Sequence, residues 1–283
     1  MRGSSDPGNG KGKPDSAQNK DKERNNGGGP GPLRVVGLGP GSPEYLAPKA
    51  REVLERAEVI IGYKGYIDLI EPDLLLGKKV IATGMTQELD RCHAAIDSSL
   101  KGKSTAVVCS GDPGVYGMAG LILELLERRD CHADIDVEII PGIPALAAAA
   151  ALLGAPLMHD FAVISLSDLL TPWEIIEKRI GAGLEADFVL VLYNPRSKKR
   201  DWQLKRAMDM VIEHRGAKVP VGVVRNAMRE GQEVRICPAS GLRVEGIDML
   251  SIVLVGNSTT RLSMGKMVTP RGYLEKYDIS LSD

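Results

Sequence analysis

The sequence predicts an α/β protein of two domains, each built on a mostly parallel β-sheet. Short apolar runs alternate with helical periods of apolar residues, and this alternation occurs twice along the chain. Between the two series, residues 141–144 read PGIP and break the pattern. The chain has 283 residues, 43% of them hydrophobic, which is enough to bury two cores.

Residues 1–32 precede the first predicted strand and are expected to be disordered. They are rich in Gly, Pro, Asn, Lys and Asp and contain hardly any apolar side chain. Such a segment buries too little surface to offset the entropy lost on ordering. The N-terminal α/β domain is therefore expected to span residues 33–141, and the C-terminal α/β domain residues 142–283.

The first domain is predicted to contain five strands, each a short and mainly apolar run, with amphipathic helices between them. The predicted strands are 33–37, 59–61, 79–82, 105–109 and 137–140, and the predicted helices are 43–57, 86–100 and 116–128. Strands that alternate with helices imply a parallel sheet covered on both faces.

The second domain repeats this alternation after an alanine-rich helix. The predicted strands are 161–165, 188–193 and 221–224, and the predicted helices are 172–181 and 201–214. Two later apolar runs, 233–236 and 249–255, predict further strands, for which antiparallel pairing is an open alternative.

Composition argues against nucleic-acid and membrane partners. The chain carries 36 basic and 37 acidic residues, a net charge of −1, and only 4% aromatic residues. Binding to nucleic acid is typical of chains with a basic surplus and aromatic stacking platforms. The longest apolar stretch, residues 139–158, is interrupted by proline and glycine, so no membrane-spanning helix is predicted.

The cysteine pattern predicts no metal site. None of the four cysteines lies within three residues of another, whereas zinc and iron–sulfur sites use closely spaced ligands. Scattered thiols and the lack of a signal peptide favour a reducing cytoplasm.

Two glycine-containing segments resemble nucleotide-binding motifs but fail on spacing. Residues 37–42 read GLGPGS after the first strand, and Ser42 stands where a dinucleotide-binding turn needs its third glycine. Pro40 also removes a backbone N–H from that loop. Residues 102–104 read GKS but precede a strand, whereas a phosphate-binding loop follows one.

Residues 110–117, which read SGDPGVYG, are the most informative segment. They follow a predicted strand and precede a predicted helix, which is where open α/β sheets bind ligands. Glycines there allow close backbone approach to a ligand. Asp112 fits two interpretations equally, as a ligand contact or as the cap of the next helix.

Taken together, several motifs resemble the tetrapyrrole methylase family over residues 34–272. They are the GLGPGS turn, the 110–117 loop, the Pro-Gly break before an alanine-rich helix, and LYNP at residues 192–195. Further motifs resemble the branch that methylates C17 of precorrin-3B or cobalt-precorrin-3, among them GYKGY at 62–66, TGM at 83–85, YNPRS at 193–197, VRNA at 224–227 and GNS at 256–258.

The resemblance implies two α/β domains with S-adenosyl-L-methionine bound in the cleft between them, and a homodimer. By motif position it implies cofactor contacts from the following residues: Pro40, Ser110, Gly111, Asp112, Val115, Pro144, Ala145, Asn194 and Ala227. Many of these would act through backbone groups.

The implied substrate is a tetrapyrrole that carries several carboxylates. Arg196 follows a strand end of the second domain, so we expect it to overhang the cleft and bind a substrate carboxylate. The implied reaction couples C17 methylation to contraction of the ring, a step that needs a proton donor or acceptor. The candidates are Asp112, Lys64, Tyr66 and Asp168.

Four other functions are alternatives to this prediction. Members of the wider family methylate another precorrin, ribosomal RNA or a modified histidine of an elongation factor, and a non-catalytic binding module is an alternative of another class. Neutral charge and few aromatic residues oppose the RNA alternative. Nothing in the sequence separates the metal-free from the cobalt-bearing substrate, although we favour the cobalt-bearing one.

Overall fold

The structure, a computed structural model, describes residues 29–277. Its first half is a five-stranded sheet in which all strands are parallel, in the order β3-β2-β4-β1-β5. The strands are β1 Leu33–Gly37, β2 Val59–Tyr63, β3 Lys79–Thr83, β4 Thr105–Cys109 and β5 Val137–Ile140. All five predicted strands are present.

Helices cover both faces of this first sheet. They are α1 Pro48–Arg56, α2 Lys64–Ile67, α3 Pro72–Leu75, α4 Glu88–Leu100 and α5 Ala119–Arg128. Side chains alternate along each strand, so Val35 and Val107 pack with α4 and α5, whereas Val36 and Val108 pack with α1. The first half therefore has two cores, one on each side of the sheet.

The second half contains a five-stranded mixed sheet in the order β10-β9-β11-β8-β7. Its strands are β7 Phe161–Ser165, β8 Val189–Tyr193, β9 Pro220–Arg225, β10 Glu233–Pro238 and β11 Ser251–Val255. β11 runs antiparallel between β8 and β9, and β10 is antiparallel to β9. β10 and β11 are thus antiparallel to their neighbours, which is one of the two pairings that the sequence left open.

Three helices cover the second sheet, and a small sheet of three strands adjoins it. α6 Ala145–Leu153 packs on one face, and α7 Trp173–Glu185 and α8 Gln203–Arg215 pack on the other. The small sheet contains β6 Gly154–Ala155, β12 Arg261–Ser263 and β13 Lys266–Val268. A short helix, α9 Tyr273–Lys276, follows it.

The two largest delays in the start of a predicted helix have local steric reasons. The helix predicted at 43–57 is a short 3₁₀ turn, Pro43–Tyr45, followed by α1. The residue before Pro48 is extended because a proline disfavours helical conformation in its predecessor. The helix predicted to begin at Tyr116 begins at Ala119, because Tyr116 has a positive φ of 53°.

The expected tail lies mostly outside the described residues, which start at residue 29. Gly31 and Pro32, which the prediction assigned to it, hydrogen-bond to Ser99 and Thr105. We keep the division between residues 141 and 142 as a proposal. It is supported by the strand pairings, none of which joins the two sides within residues 29–277. None of the helices described is long and apolar enough to cross a bilayer.

Candidate active site

A cleft lies between the two five-stranded sheets, at the carboxyl ends of most of the strands that border it. Loops that follow β1, β2, β4 and β5 form one wall, and segments that follow β8 and β9 or precede β11 form the other. The lining residues are Pro40, Tyr66, Ser110, Gly111, Asp112, Val115, Tyr116, Pro144, Ala145, Tyr193, Asn194, Val224, Asn226, Ala227, Arg229, Met249, Leu250, Ser251 and Ile252. This is the edge at which α/β sheets bind ligands.

Backbone contacts between glycines build the first wall. Gly39 and Gly111 exchange two backbone hydrogen bonds of 3.1 and 2.7 Å, which join the loops after β1 and β4. A methyl group on Gly142 would lie 2.2 Å from the carbonyl oxygen of Gly111. Gly111 itself has a positive φ of 69°, which favours glycine. The wall therefore requires main chain without side chains at these positions.

Asp112 connects two loops of this wall. One carboxylate oxygen accepts a hydrogen bond of 2.8 Å from the N–H of Gly114, and the other accepts one of 3.1 Å from the N–H of Gly142. The interpretation of Asp112 as a helix cap is wrong, because α5 begins at Ala119 with Met118 at its N-cap position. Asp112 instead fixes the cleft-lining loops relative to one another.

Two tyrosines join the walls. The Tyr193 hydroxyl, at the end of β8, accepts a hydrogen bond of 3.0 Å from the N–H of Leu146 in the first turn of α6. The Tyr116 hydroxyl donates to the carbonyl of Val163 in β7 at 3.1 Å. The two rings pack together with centroids 5.2 Å apart. Burial raises the pKa of both phenols, so both stay protonated at neutral pH.

Side-chain contacts hold the second wall. Asn194 has a positive φ of 52°, and its amide donates to the hydroxyl of Ser165 at 2.9 Å. The buried Arg200 donates to the carbonyl of Asn194 at 3.1 Å and contacts the sulfur of Met249. Arg200 thereby connects the segment after β8 to the segment before β11.

The segment after β9 is held in the same way. Arg225 donates through Nε to the carboxylate of Asp248 at 3.0 Å, and the N–H of Asn226 donates to the carbonyl of Leu250 at 3.1 Å. Because β11 is antiparallel, its amino end lies beside the carboxyl ends of β8 and β9. Residues 249–252 therefore line the cleft although they lie at the amino end of a strand.

The structure brings the nine residues predicted as cofactor contacts together, and all of them line this one cleft. Seven belong to the first wall or the start of α6, and Asn194 and Ala227 belong to the second wall. Their role in binding remains a prediction.

The remaining predicted residues divide between cleft and surface. Tyr66 lines the cleft, and burial raises the pKa of its phenol. Lys64 is exposed and pairs with Asp68, and Asp168 accepts a hydrogen bond of 2.8 Å from Gln203. Neither side chain is among those that line the cleft.

Arg196 was expected to overhang the cleft, but it does not line it. Its guanidinium donates to the carbonyl of Val244 at 3.2 Å. The loop that carries it leaves the strand at the cleft, but the side chain packs against the segment that precedes β11. Its binding of a substrate carboxylate remains a prediction.

Sequence reasoning missed Arg229 and residues 249–252 as parts of the site. Arg229 gave no signal, because a lone arginine in a polar loop is ordinarily solvated. Residues 249–252 would have been found if the pairing direction of β11 had been known.

The residues present fit an adenosyl cofactor of mixed polarity. Glycine, proline and alanine leave room for close main-chain contact, and carbonyl and N–H groups of the loops offer polar partners. The fold and the cleft thus define an α/β protein with a cleft between two sheets, at the strand ends where such folds bind ligands.

Comparisons with known proteins agree with this class. The family model for Tetrapyrrole (Corrin/Porphyrin) Methylases matches residues 32–243. A "probable cobalt-factor III C(17)-methyltransferase" of Salmonella typhimurium is 50% identical over 241 residues, covering 85% of this chain and 99% of the relative. A protein of the same name from Methanocaldococcus jannaschii is 42% identical over 254 residues, covering 87% and 100%.

Among solved structures, the crystal structure of the methyltransferase CobJ superposes with a TM-score of 0.81 at 38% identity, covering 85% of this chain and all of that one. The chain belongs to the tetrapyrrole methylase family, and it is a methyltransferase. The family and the two-sheet fold expected from the motifs are confirmed.

Proposed function

We propose that this protein transfers a methyl group from S-adenosyl-L-methionine to C17 of cobalt-factor III during cobalamin synthesis, coupled to contraction of the ring. The cleft carries the proposal, because all nine residues that the motifs assign to cofactor binding line it. Relatives named for this reaction match the chain over nearly their whole length.

The role of the chain in methyl transfer is to hold two ligands in line. When bound, S-adenosylmethionine supplies a methyl group on a positively charged sulfur, which leaves as a neutral thioether. The predicted contacts from both walls fix the cofactor, and the rest of the cleft holds the ring carbon in line with it. Alignment of this kind contributes up to about 7–11 kcal/mol to catalysis, which explains why the cleft needs no nucleophile.

Ring contraction also requires a proton to move, and the placement of the four candidates favours Tyr66. Both oxygens of Asp112 accept hydrogen bonds from backbone N–H groups, and Lys64 and Asp168 do not line the cleft. Tyr66 lines the cleft, and its phenol is protonated at neutral pH. A protonated phenol can donate a proton to the ring.

The test is incubation with S-adenosylmethionine and each of two rings, cobalt-factor III and metal-free precorrin-3B. Mass and absorption spectra of the products should show one added methyl group and a changed ring on the cobalt-bearing substrate. Methylation of the metal-free ring alone would contradict the choice of substrate, and methylation of neither would contradict the function.

Gly111→Val serves as a control for this assay, because it should fold but fail to bind the cofactor. A β-branched side chain at a φ of 69° is strained and lies against Pro144 and Ala145. The variant should fold, by circular dichroism, but show no heat of binding with S-adenosylhomocysteine in titration calorimetry. Wild-type affinity in a folded variant would contradict the assignment of this loop to the cofactor.

Two finer features belong to the same proposal. A homodimer is implied by the family resemblance, and light scattering should give twice the mass of the chain. A reducing cytoplasm fits the four cysteines, all of which are free. The neutral net charge continues to oppose ribosomal RNA as a substrate.

A further inference from the structure

Arg229 extends from one wall of the cleft to the other. It lies in the loop after β9, and its Nε donates to the carbonyl of Pro40 while its Nη2 donates to the hydroxyl of Ser110. Both partners belong to loops of the first sheet. Gly41 makes room for this side chain, because a methyl group there would lie 2.7 Å from the Arg229 Nε.

The guanidinium has no carboxylate partner within residues 29–277. Its two acceptors are neutral, and burial lowers its pKa, with Tyr66 acting weakly in the other direction. The acidic residue that lines the same cleft, Asp112, is bonded to Gly114 and Gly142 instead. A partly buried cation that lacks a counter-ion is costly unless an anion joins it.

Arg225, four residues earlier, provides the contrast. It pairs with both Asp248 and Glu233, so its charge is balanced by the chain itself. Arg225 is the last residue of β9 and Arg229 lies in the loop that follows. Only Arg229 lines the cleft. The difference indicates that the charge of Arg229 is kept for a ligand.

We propose that Arg229 is a carboxylate-binding residue of the cleft, which exchanges its bonds to Pro40 and Ser110 for bonds to a ligand carboxylate. The proposal rests on the proposed function, because both ligands of that reaction carry carboxylates: the amino-acid part of the cofactor and the acid side chains of the ring. The planar guanidinium can bind a carboxylate through two parallel hydrogen bonds. Before the exchange, the same side chain joins the two walls.

The test measures binding rather than turnover, with three probes on wild type and Arg229→Gln. S-adenosylhomocysteine carries an amino-acid carboxylate, and methylthioadenosine is its adenosyl thioether without the amino-acid part. Uroporphyrin supplies a ring with acid side chains, and its binding is followed by fluorescence quenching. Loss of a charge-assisted pair should weaken the affected probe by about 10- to 100-fold.

Each outcome has one meaning. Weaker binding of S-adenosylhomocysteine with unchanged methylthioadenosine places the carboxylate on the cofactor, and weaker binding of uroporphyrin alone places it on the ring. Unchanged affinity for all three, or an equal loss for all three including methylthioadenosine, overturns the proposal.

Two further variants control the experiment. Arg229→Lys keeps the charge but loses the two-pronged geometry, so it should recover only part of the affinity. Arg261→Gln removes an exposed arginine that does not line the cleft and should bind every probe as wild type does. Failure of the proposed function is a separate result, since wild type would then neither bind S-adenosylhomocysteine nor methylate the ring.

Discussion

The two walls of the cleft achieve their shape by different means. In the first wall, main chain contacts main chain, as in the paired Gly39 and Gly111. In the second wall, side chains make the contacts, as Arg200 donates to the carbonyl of Asn194 and Arg225 donates to the carboxylate of Asp248. A wall of packed backbone cannot accept new side chains, whereas a wall built from side chains can change one residue at a time. Substitutions in the first wall should therefore disturb the cleft more than substitutions in the second.

The largest expected effect comes from the addition of a methyl group to the first wall. Gly142→Ala places a carbon 2.2 Å from the carbonyl oxygen of Gly111, so the backbone must shift. We expect unfolding free energy to fall by about 3 kcal/mol and affinity for S-adenosylhomocysteine to fall at least about tenfold, measured by urea denaturation and calorimetry.

Gly120→Ala makes the same chemical change where no atom lies within 4 Å, in α5. Alanine favours a helix there by about 0.5–1 kcal/mol, so this control should be as stable as wild type or more so. Equal behaviour of the two variants would show that the first wall tolerates side chains and that the contrast between the walls is false.

The next effect concerns the second wall. Arg200→Met removes the donor to the carbonyl of Asn194 and should reduce stability by about 2 kcal/mol, the range for a hydrogen bond from a charged group. Because Asn194 is one of the predicted cofactor contacts, affinity for S-adenosylhomocysteine should fall as well, measured by calorimetry. Lys199→Met, an exposed neighbour, should change stability by less than about 0.5 kcal/mol. An Arg200→Met protein as stable as this control would refute the prediction.

A smaller effect is expected at the contact between the walls. Tyr193→Phe leaves the N–H of Leu146 without its acceptor, at a cost of about 0.5–1.5 kcal/mol. Tyr116→Phe removes the donor to Val163 and provides a matched comparison. Amide exchange at Leu146 should accelerate in the first variant only. If it accelerates equally in both, the two tyrosines act as one packed unit.

The smallest expected effect is the reaction of the cysteine thiols of the folded protein with a labelling reagent. Burial raises the pKa of the Cys92 thiol to about 12 and that of the Cys109 thiol to about 11. Because the thiolate is the reactive form, neither should react with an aryl disulfide reagent at pH about 8 until the protein unfolds. The half-buried Cys237, in the second half, should react slowly. Rapid labelling of Cys109 would show that the first half opens readily.

The sequence predicted the strands of the two five-stranded sheets because most of them are short apolar runs, but it did not predict the three short strands of the small sheet. It did not predict the break before Pro48 or the later start of α5, since both depend on single backbone conformations. The nine predicted residues lie together because motifs that follow strands of both sheets face the same cleft. Arg229 could not be predicted, because its role depends on partners 119 and 189 residues away.

The position of β11 also has a consequence for how the protein forms during synthesis. β1 to β5 pair only with one another, so the first sheet can close once residue 140 has left the ribosome. β11 lies between β8 and β9 but comes last among the five strands of its sheet. Until Ser251–Val255 emerges, β8 and β9 each expose an unpaired apolar edge, which is a template for aggregation. A ribosome stalled before that strand would therefore hold a finished first half joined to an aggregation-prone second half.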